Sequence, residues 1–337
     1  MFNTYFTAKH ILSKGALLNV VLSDRSDGKT FDSKADALKQ FENDGSVTVY
    51  MRRYKTEITE KLYQTFFDEV INVAEYMRFA LWYFRGSKKG IEVKKQGDKE
   101  WKFIVYFVPL SMSGKLKSQL EVRKIKRIYY DEFVPLDGKY LPNECDLILE
   151  FWKSVDRDRD TTQMVILGNK ITPFNPLFDF FDIDLDITGD KIRTYKDGTL
   201  AVQIYSNSEH REIRSESKFN KLVKETKYDD YNSGGILQAL SVKLQSTVGA
   251  EYMYAFKTKN GEGSVWFKNG ALIISTRFRK DNYILTDVVY NIEREQYTIN
   301  AGKFKQIFKQ SYSCGELYFE TEKAFHFFEP ILKKLCV

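Results

Sequence analysis

Residues 17–30 read LLNVVLSDRSDGKT, and the fold turns on this stretch. Leu17 to Leu22 is an apolar run interrupted only by Asn19, the length of a buried strand. It opens onto a polar segment, and from Phe31 onward Ala35, Ala37, Leu38 and Phe41 recur at spacings that gather on one helix face. Strand, polar loop and helix in that order place backbone N–H groups at a helix start, where they converge on an anion. Gly28, Lys29 and Thr30 supply a flexible backbone, a cation for outer phosphates and a hydroxyl for magnesium. Ser23 stands where a phosphate loop usually has its first glycine, and Asp24 and Asp27 put carboxylates beside a polyanion.

Working outward, Ser46 to Met51 (SVTVYM) reads as a second strand ending in Arg52, Arg53, Tyr54 and Lys55. Leu62, Phe66, Val70, Val73, Ala74 and Met77 predict one long helix from Ile58 to about Phe84, followed by an aromatic strand, Trp101 to Val108. Ile125 to Tyr130 leads into Asp131, Glu132 and Phe133, and Met164 to Leu167 leads into Gly168 and Asn169. Between them Asn143 to Val155 predicts a helix whose exit is the loop DRDRD, expected near the same sheet edge as the phosphate loop. The alternation predicts an α/β fold, a mostly parallel P-loop NTPase sheet of the ASCE type with flanking helices. Beyond Ser206 mixed charge (Glu209, Arg211, Glu212, Arg214, Glu216, Lys218, Lys221, Lys224) predicts a helical connector. From Val248, EYMYAFKT, SVWFKN and ALIISTRF separated by Asn260-Gly261 and Asn269-Gly270 predict a β meander, closed by helices near 301–310 and 322–335. The expected domains are residues 1–206, a linker over 207–240, and a smaller α+β domain over 241–337.

Composition agrees with a folded protein of two domains: 337 residues, 43% hydrophobic, 21 Tyr, 26 Phe and only 6 Pro. A net charge of +6 permits an acidic partner without requiring one. Cys145, Cys314 and Cys336 lack CxxC spacing, which argues against a disulfide framework or zinc site and for a reducing, cytoplasmic setting. The start shows no secretory pattern, and no apolar run approaches the ~20 residues that span a bilayer, so no membrane association is expected.

Several residues carry chemistry on this reading. An apolar strand ending in Asp131-Glu132, about 100 residues beyond the GKT, supplies one carboxylate for magnesium and one to polarise an attacking water. Taken singly, the GKT is also a polar turn and the acidic pair a solvated loop start. Asn169 reads as a sensor of the outer phosphate or as a strand-end cap. Arg157 and Arg159 read as surface ion pairs or as a finger reaching a neighbouring subunit, and Arg25 binds phosphate or neutralises Asp24 and Asp27. Lys115 and Lys117, in the loop SGKLKSQ, read as a solvated loop or as candidates for gripping a polyanion.

VYMRRYKTEI (49–58), YYDEFVPLDGKYLPNECDLIL (129–149) with DRDRD, and VILGNKITPFNPLFDFF (165–181) together resemble the terminase-like DNA-packaging ATPases of small short-tailed bacteriophages. The likeness is firm from Leu18 to Asp184. It implies a ring of ATPase subunits, a pentamer, on the portal of a prohead in the host cytoplasm, driving double-stranded DNA inward with ATP and Mg2+. It leaves room for an RNA scaffold. On the matching positions it implies that Lys29 and Thr30 hold phosphate and magnesium, Asp131 is the second magnesium ligand, Glu132 the catalytic base, Arg157 the trans-acting finger, and Asn169 the coupling residue. Arg52 and Lys55 match an element associated with lid or subunit contacts. The likeness also implies a C-terminal RNase H-type domain without its metal site. YMYAF offers no inward carboxylate, Glu251 lies at the strand's edge, and Lys257, Lys259, Lys268, Arg277, Arg279 and Lys280 form a candidate basic face. Rival readings are a large terminase with a live nuclease, a non-translocating P-loop NTPase or kinase, and a binding module without turnover.

Overall fold

The computed structural model describes residues 5–135, 140–170, 175–181, 183, 192–207, 209, 212, 216–224, 244–279, 284–286, 296–298, 302–314 and 316–336. The chain forms two compact units, Met1–Ala239 and Leu240–Val337.

The first unit is built on strands β1 (Leu18–Ser23), β2 (Val47–Arg52), β3 (Tyr83–Ser87), β4 (Gly90–Lys94), β5 (Lys102–Pro109), β6 (Ile125–Tyr130), β7 (Gln163–Asn169), β8 (Ile192–Tyr195) and β9 (Leu200–Ile204). They lie in one sheet in the order β3-β4-β5-β2-β6-β7-β1-β9-β8. The six strands from β5 to β9 in that order are parallel, and antiparallel pairs close both edges. The expected α/β class and the central strands are present. The strands β3, β4, β8 and β9 were not foreseen from periodicity.

Helices α1 (Lys9–Leu12), α2 (Lys29–Asp44), α3 (Glu60–Gln64), α4 (Asp68–Ile71), α5 (Ser113–Leu116), α6 (Glu144–Asp156) and α7 (Pro176–Phe181) accompany the sheet, and α8 (Lys218–Val223) lies in the connector. Leu18, Val20 and Leu22 pack in one core with Ile148 and Phe151 of α6, and Val21 packs in the other with Ala35, Leu38 and Phe41 of α2. Both faces of β1 are therefore covered, which explains why its sequence is apolar on both faces with Asn19 as the interior exception. Asn19, the exception, donates to the carbonyl of Ala16 at 3.0 Å. α2 stops at Gly45 (φ 72°), whose N–H returns to Phe41 O.

The single helix expected over Ile58–Phe84 is instead α3, α4, a 3-10 segment (Ala74–Leu81) and the start of β3. Phe66 and Phe67 are both buried although adjacent. Neighbouring residues on a helix point about 100° apart, so burying both favours a break between short turns. Thr59 caps α3 through Leu62 N.

The second unit holds β10 (Glu251–Thr258), β11 (Gly261–Lys268), β12 (Ala271–Ser275), β13 (Ile284–Thr286), β14 (Gln296–Thr298) and β15 (Leu317–Phe319), with helices α9 (Gly302–Ser313) and α10 (Glu322–Cys336). The sheet order is β14-β13-β10-β11-β12-β15. The expected meander β10-β11-β12 is antiparallel, whereas β13, β14 and β15 join in parallel. Three-residue strands carry too little pattern to be read in advance. Lys280 and most of the connector over 207–240, including Arg211 and Arg214, lie outside the described residues.

Pro330 lies inside α10 and cannot donate to the carbonyl four residues back, that of His326. Asn260 Nδ2, in the β10–β11 turn, donates to that carbonyl at 2.9 Å, and Thr258 Oγ1 donates to Phe327 O at 2.6 Å. Asn260→Ala is expected to lower stability by about 1 kcal/mol in urea unfolding; an unchanged midpoint would contradict this capping role.

Candidate active site

At the carboxyl edge of the parallel strands the loop 24–28 turns into α2. Gly28 sits at φ 94°, a conformation that favours glycine, and a Cβ there would press on the Tyr5 ring at 3.2 Å. Lys29 is buried, with its ammonium on Ser23 Oγ (2.7 Å), Asp24 O (2.9 Å) and Asn169 Oδ1 (3.1 Å). Ser23 and Asn169 are partners in the β1–β7 register, so strand pairing alone brings them to the same ammonium. Burial pushes the Lys29 pKa down to about 8, against the pull of Asp27, Asp131 and Asp24.

Thr30 Oγ1 donates to Asp131 Oδ2 at 2.8 Å, and the buried Tyr50 hydroxyl donates to the same oxygen at 2.6 Å. Burial, then the Asp131 charge, push the Tyr50 pKa far up, so it stays a neutral donor. Glu132 follows at φ 59°, its N–H on Asp131 Oδ1. Its side chain is 60% exposed and pairs with Arg52 Nη1 at 2.7 Å.

The carboxylates that seemed hostile to an anion are managed. Asp24 pairs with Lys170 at 3.4 Å, and the Asp27 pKa is raised, first by burial and then by Asp24, which favours its neutral form. Ser23 does not obstruct the loop; its hydroxyl accepts from Lys29.

A cavity of about 1190 Å³ is lined by Arg25, Gly28, Lys29, Thr30, Asp131, Glu132 and Asn169, among others, with Tyr5, Phe6, Tyr76 and Tyr205 adding aromatic wall. It is large enough for a nucleotide. The Thr30 hydroxyl and Asp131 carboxylate are oxygen donors suited to a hard divalent cation.

Arg157 does not join them, and the expectation that its loop emerges at the same sheet edge is overturned. In a parallel β-α-β crossover the helix must return to the amino edge before the next strand begins. α6 makes that return, spanning roughly 20 Å at ~1.5 Å per residue, and Thr162 after it bonds to Ile125 O at the start of β6. Lys55 is exposed in a 3-10 turn after β2. Lys115 and Lys117, read as a loop, lie in α5 and the 3-10 turn after it, both exposed, with Lys117 on Ser154 Oγ at 3.4 Å. None of these lysines lines the cavity.

A model of the podovirus DNA encapsidation protein (Gp16) family matches residues 2–333. The chain belongs to that family. The resemblance drawn from residues 18–184 holds and extends through the second unit. Among relatives of this family member, the DNA packaging protein of Bacillus phage B103 is 27% identical over 222 residues, 65% of this chain and 64% of the relative. That of Bacillus phage phi29 is 25% identical over 228 residues, 67% of this chain. The matches span 64% of the length of these curated relatives. In fold, the chain is similar to one in the bacteriophage Phi-29 viral genome packaging motor assembly, with a TM-score of 0.74 at 19% identity over 99% of this chain and 100% of the other. It is also similar to the N-terminal domain of the DNA packaging ATPase from bacteriophage phi29, with a TM-score of 0.52 at 24% identity over 61% of this chain and 98% of that domain.

Sequence reading missed Tyr50, Lys170 and a second buried system beneath the site. Arg53 donates to both carboxylate oxygens of Glu144 at 2.9 Å and to Phe133 O. Glu144 also accepts from Tyr130 OH (2.6 Å) and Leu141 N (2.7 Å). The pair ties the chain leaving β2 to the segment after Asp131. Glu144→Ala strands a buried guanidinium and is expected to cost about 3–5 kcal/mol, seen as a large drop in thermal midpoint; a change below about 1 kcal/mol would contradict the role.

Proposed function

We propose that this chain hydrolyses ATP with magnesium and uses the cycle to drive double-stranded DNA into a preformed prohead. It acts as a homo-oligomeric ring, a pentamer by family likeness, on the portal, with an RNA scaffold as a further candidate partner. The observation that carries the reading is the convergence of Lys29, Thr30, Asp131 and Glu132 on one cavity in a chain of the encapsidation family.

In this reading loop 24–28 is a P-loop. Lys29 exchanges its contacts on Ser23 and Asn169 for outer phosphates, with Arg25 and the Gly28 backbone beside it. Thr30 and Asp131 hold magnesium, which when bound neutralises charge on those phosphates. Glu132 orients the attacking water once it leaves Arg52, so the 2.7 Å pair holds the base back until the site is assembled. Asn169, released by Lys29, senses the outer phosphate. Arg157 completes the site of the neighbouring subunit. DNA grip is electrostatic and indifferent to sequence, through Lys55, Lys115 and Lys117.

The domain assignment is ATPase 1–206, linker 207–240 and RNase H-like domain 241–337. Within the sheet order β15-β12-β11-β10-β13-β14, the run 12-11-10-13-14, an antiparallel meander continued on one side by two parallel strands, supports the last. β10 carries no acid after Glu251, which supports a degenerate nuclease kept for gripping or docking. On its candidate basic face Lys257 pairs with Glu262 and Arg277 with Glu320, while Lys259 is exposed and Arg279 lies over Tyr252 and Trp266. Among the described residues no helix is long and apolar enough to cross a membrane. The host cytoplasm, and transiently the prohead, is the proposed setting.

Glu132→Gln is expected to lower ATP turnover by about a hundredfold or more while nucleotide binding persists; retained turnover would contradict the assignment. Lys29 is charged below about pH 8 and neutral above it. Phosphate contact needs the charged form, so affinity for a fluorescent ATP analogue is expected to fall by up to about tenfold per pH unit above 8. A flat profile to pH 9.5 would count against Lys29 as the phosphate ligand.

A further inference from the structure

The loop joining α6 to β7 is built around one carboxylate. Asp156 accepts from the backbone N–H groups of Arg159 (2.9 Å), Asp160 (2.8 Å), Thr161 (3.0 Å) and Thr162 (2.8 Å). Burial acts to raise the Asp156 pKa, and these four donors outweigh it and hold it below the usual range. Within the loop Arg157, Asp158 and Asp160 lie at φ 54°, 56° and 54°, a region that costs a non-glycine residue about 1 kcal/mol or more. Such backbone persists only where its surroundings hold it; here Arg157 N–H stays on Lys153 O at the end of α6, and the Asp156 carboxylate gathers the N–H groups of residues 159–162.

The two arginines of DRDRD are treated differently. Arg159 folds inward, donating to Asp156 O (2.7 Å), Val155 O (2.8 Å) and Val122 O (2.9 Å). Arg157 is exposed, and its side chain makes no hydrogen bond or ion pair among the described residues. A charged surface loop is ordinarily loose; this one is strained, pinned at both ends and offers a single cation, on the opposite sheet edge from its own cavity.

We propose that Asp156 is the positioning residue of this loop, fixing Arg157 for insertion into the nucleotide site of a second copy, with Arg159 as an internal strut and not the finger. The inference rests on Arg157 acting in trans. A contact that joins one edge of a subunit to a different edge of the next is heterologous, the kind that closes a ring.

The test mixes two silent chains, a donor carrying Lys29→Ala, which keeps its finger, and an acceptor carrying Arg157→Ala, which keeps its nucleotide site. The mixture is expected to recover ATP hydrolysis. Adding Asp156→Asn to the donor is expected to lower the recovered kcat by about tenfold or more, with KM for ATP little changed. Adding it to the acceptor leaves recovery intact. Amide hydrogen exchange over residues 159–162 rises in the Asp156→Asn chain. Equal loss from both placements, or loss from neither, overturns the positioning role. Failure of the parent mixture to recover, in assemblies confirmed to form, overturns instead the trans reading beneath it. Should Asp156→Asn chains fail to fold, Asp156→Glu is read in the same two placements, with the same donor-only loss expected.

Discussion

A single buried ammonium organises the first unit. Lys29 cannot stay charged away from water without partners, and it finds them on two adjacent strands, Ser23 at the end of β1 and Asn169 at the end of β7. The β2–β6 pairing does the same for Asp131, because the register that sets Met51 opposite Tyr130 leaves the Tyr50 hydroxyl on its carboxylate. A slip of either pairing would leave a buried charge without its partners, so the sheet order β2-β6-β7-β1 and the site impose the same requirement.

What the sequence could reveal follows from the range of the interactions involved. β1, loop 24–28 and α2 are contiguous, and an apolar run feeding Gly-Lys-Thr announces them without help from elsewhere. Asp131 and Glu132 were readable because β6 ends just before them. Tyr50, Lys170 and the Arg53–Glu144 pair were not, because each acts on a residue far away in sequence, Glu144 lying 91 positions from Arg53. The segment 58–84 misled because aromatic and apolar residues recur at helical spacing while adjacent Phe66 and Phe67 both turn inward. The position of Arg157 was derivable: a loop after a crossover helix must lie at the amino edge.

The two aspartates of loop 24–28 are both offset by their surroundings. Asp24 is paired with Lys170, and Asp27 is driven toward its neutral form by burial and by Asp24. Glu132 is the exception, exposed and reachable, and Arg52 holds it. Left-handed backbone at non-glycine residues occurs at Ser26 of the loop before α2, at Glu132 and along the Arg157 loop, and also in turns at Asn143, Lys196, Asp197 and Asn269. In the second unit the carbonyl that Pro330 leaves free inside α10 is satisfied by Asn260.

The proposed function requires Lys29, Thr30, Asp131 and Glu132 to share one magnesium nucleotide. A structure of the assembled chain with a non-hydrolysable ATP analogue and magnesium tests it most directly. The expected result is the Lys29 ammonium moved from Ser23 and Asn169 onto the outer phosphates, the metal on Thr30 and Asp131, and Glu132 freed from Arg52 to face the terminal phosphate. A nucleotide bound elsewhere, with the ammonium still seated on Ser23 and Asn169, would contradict it.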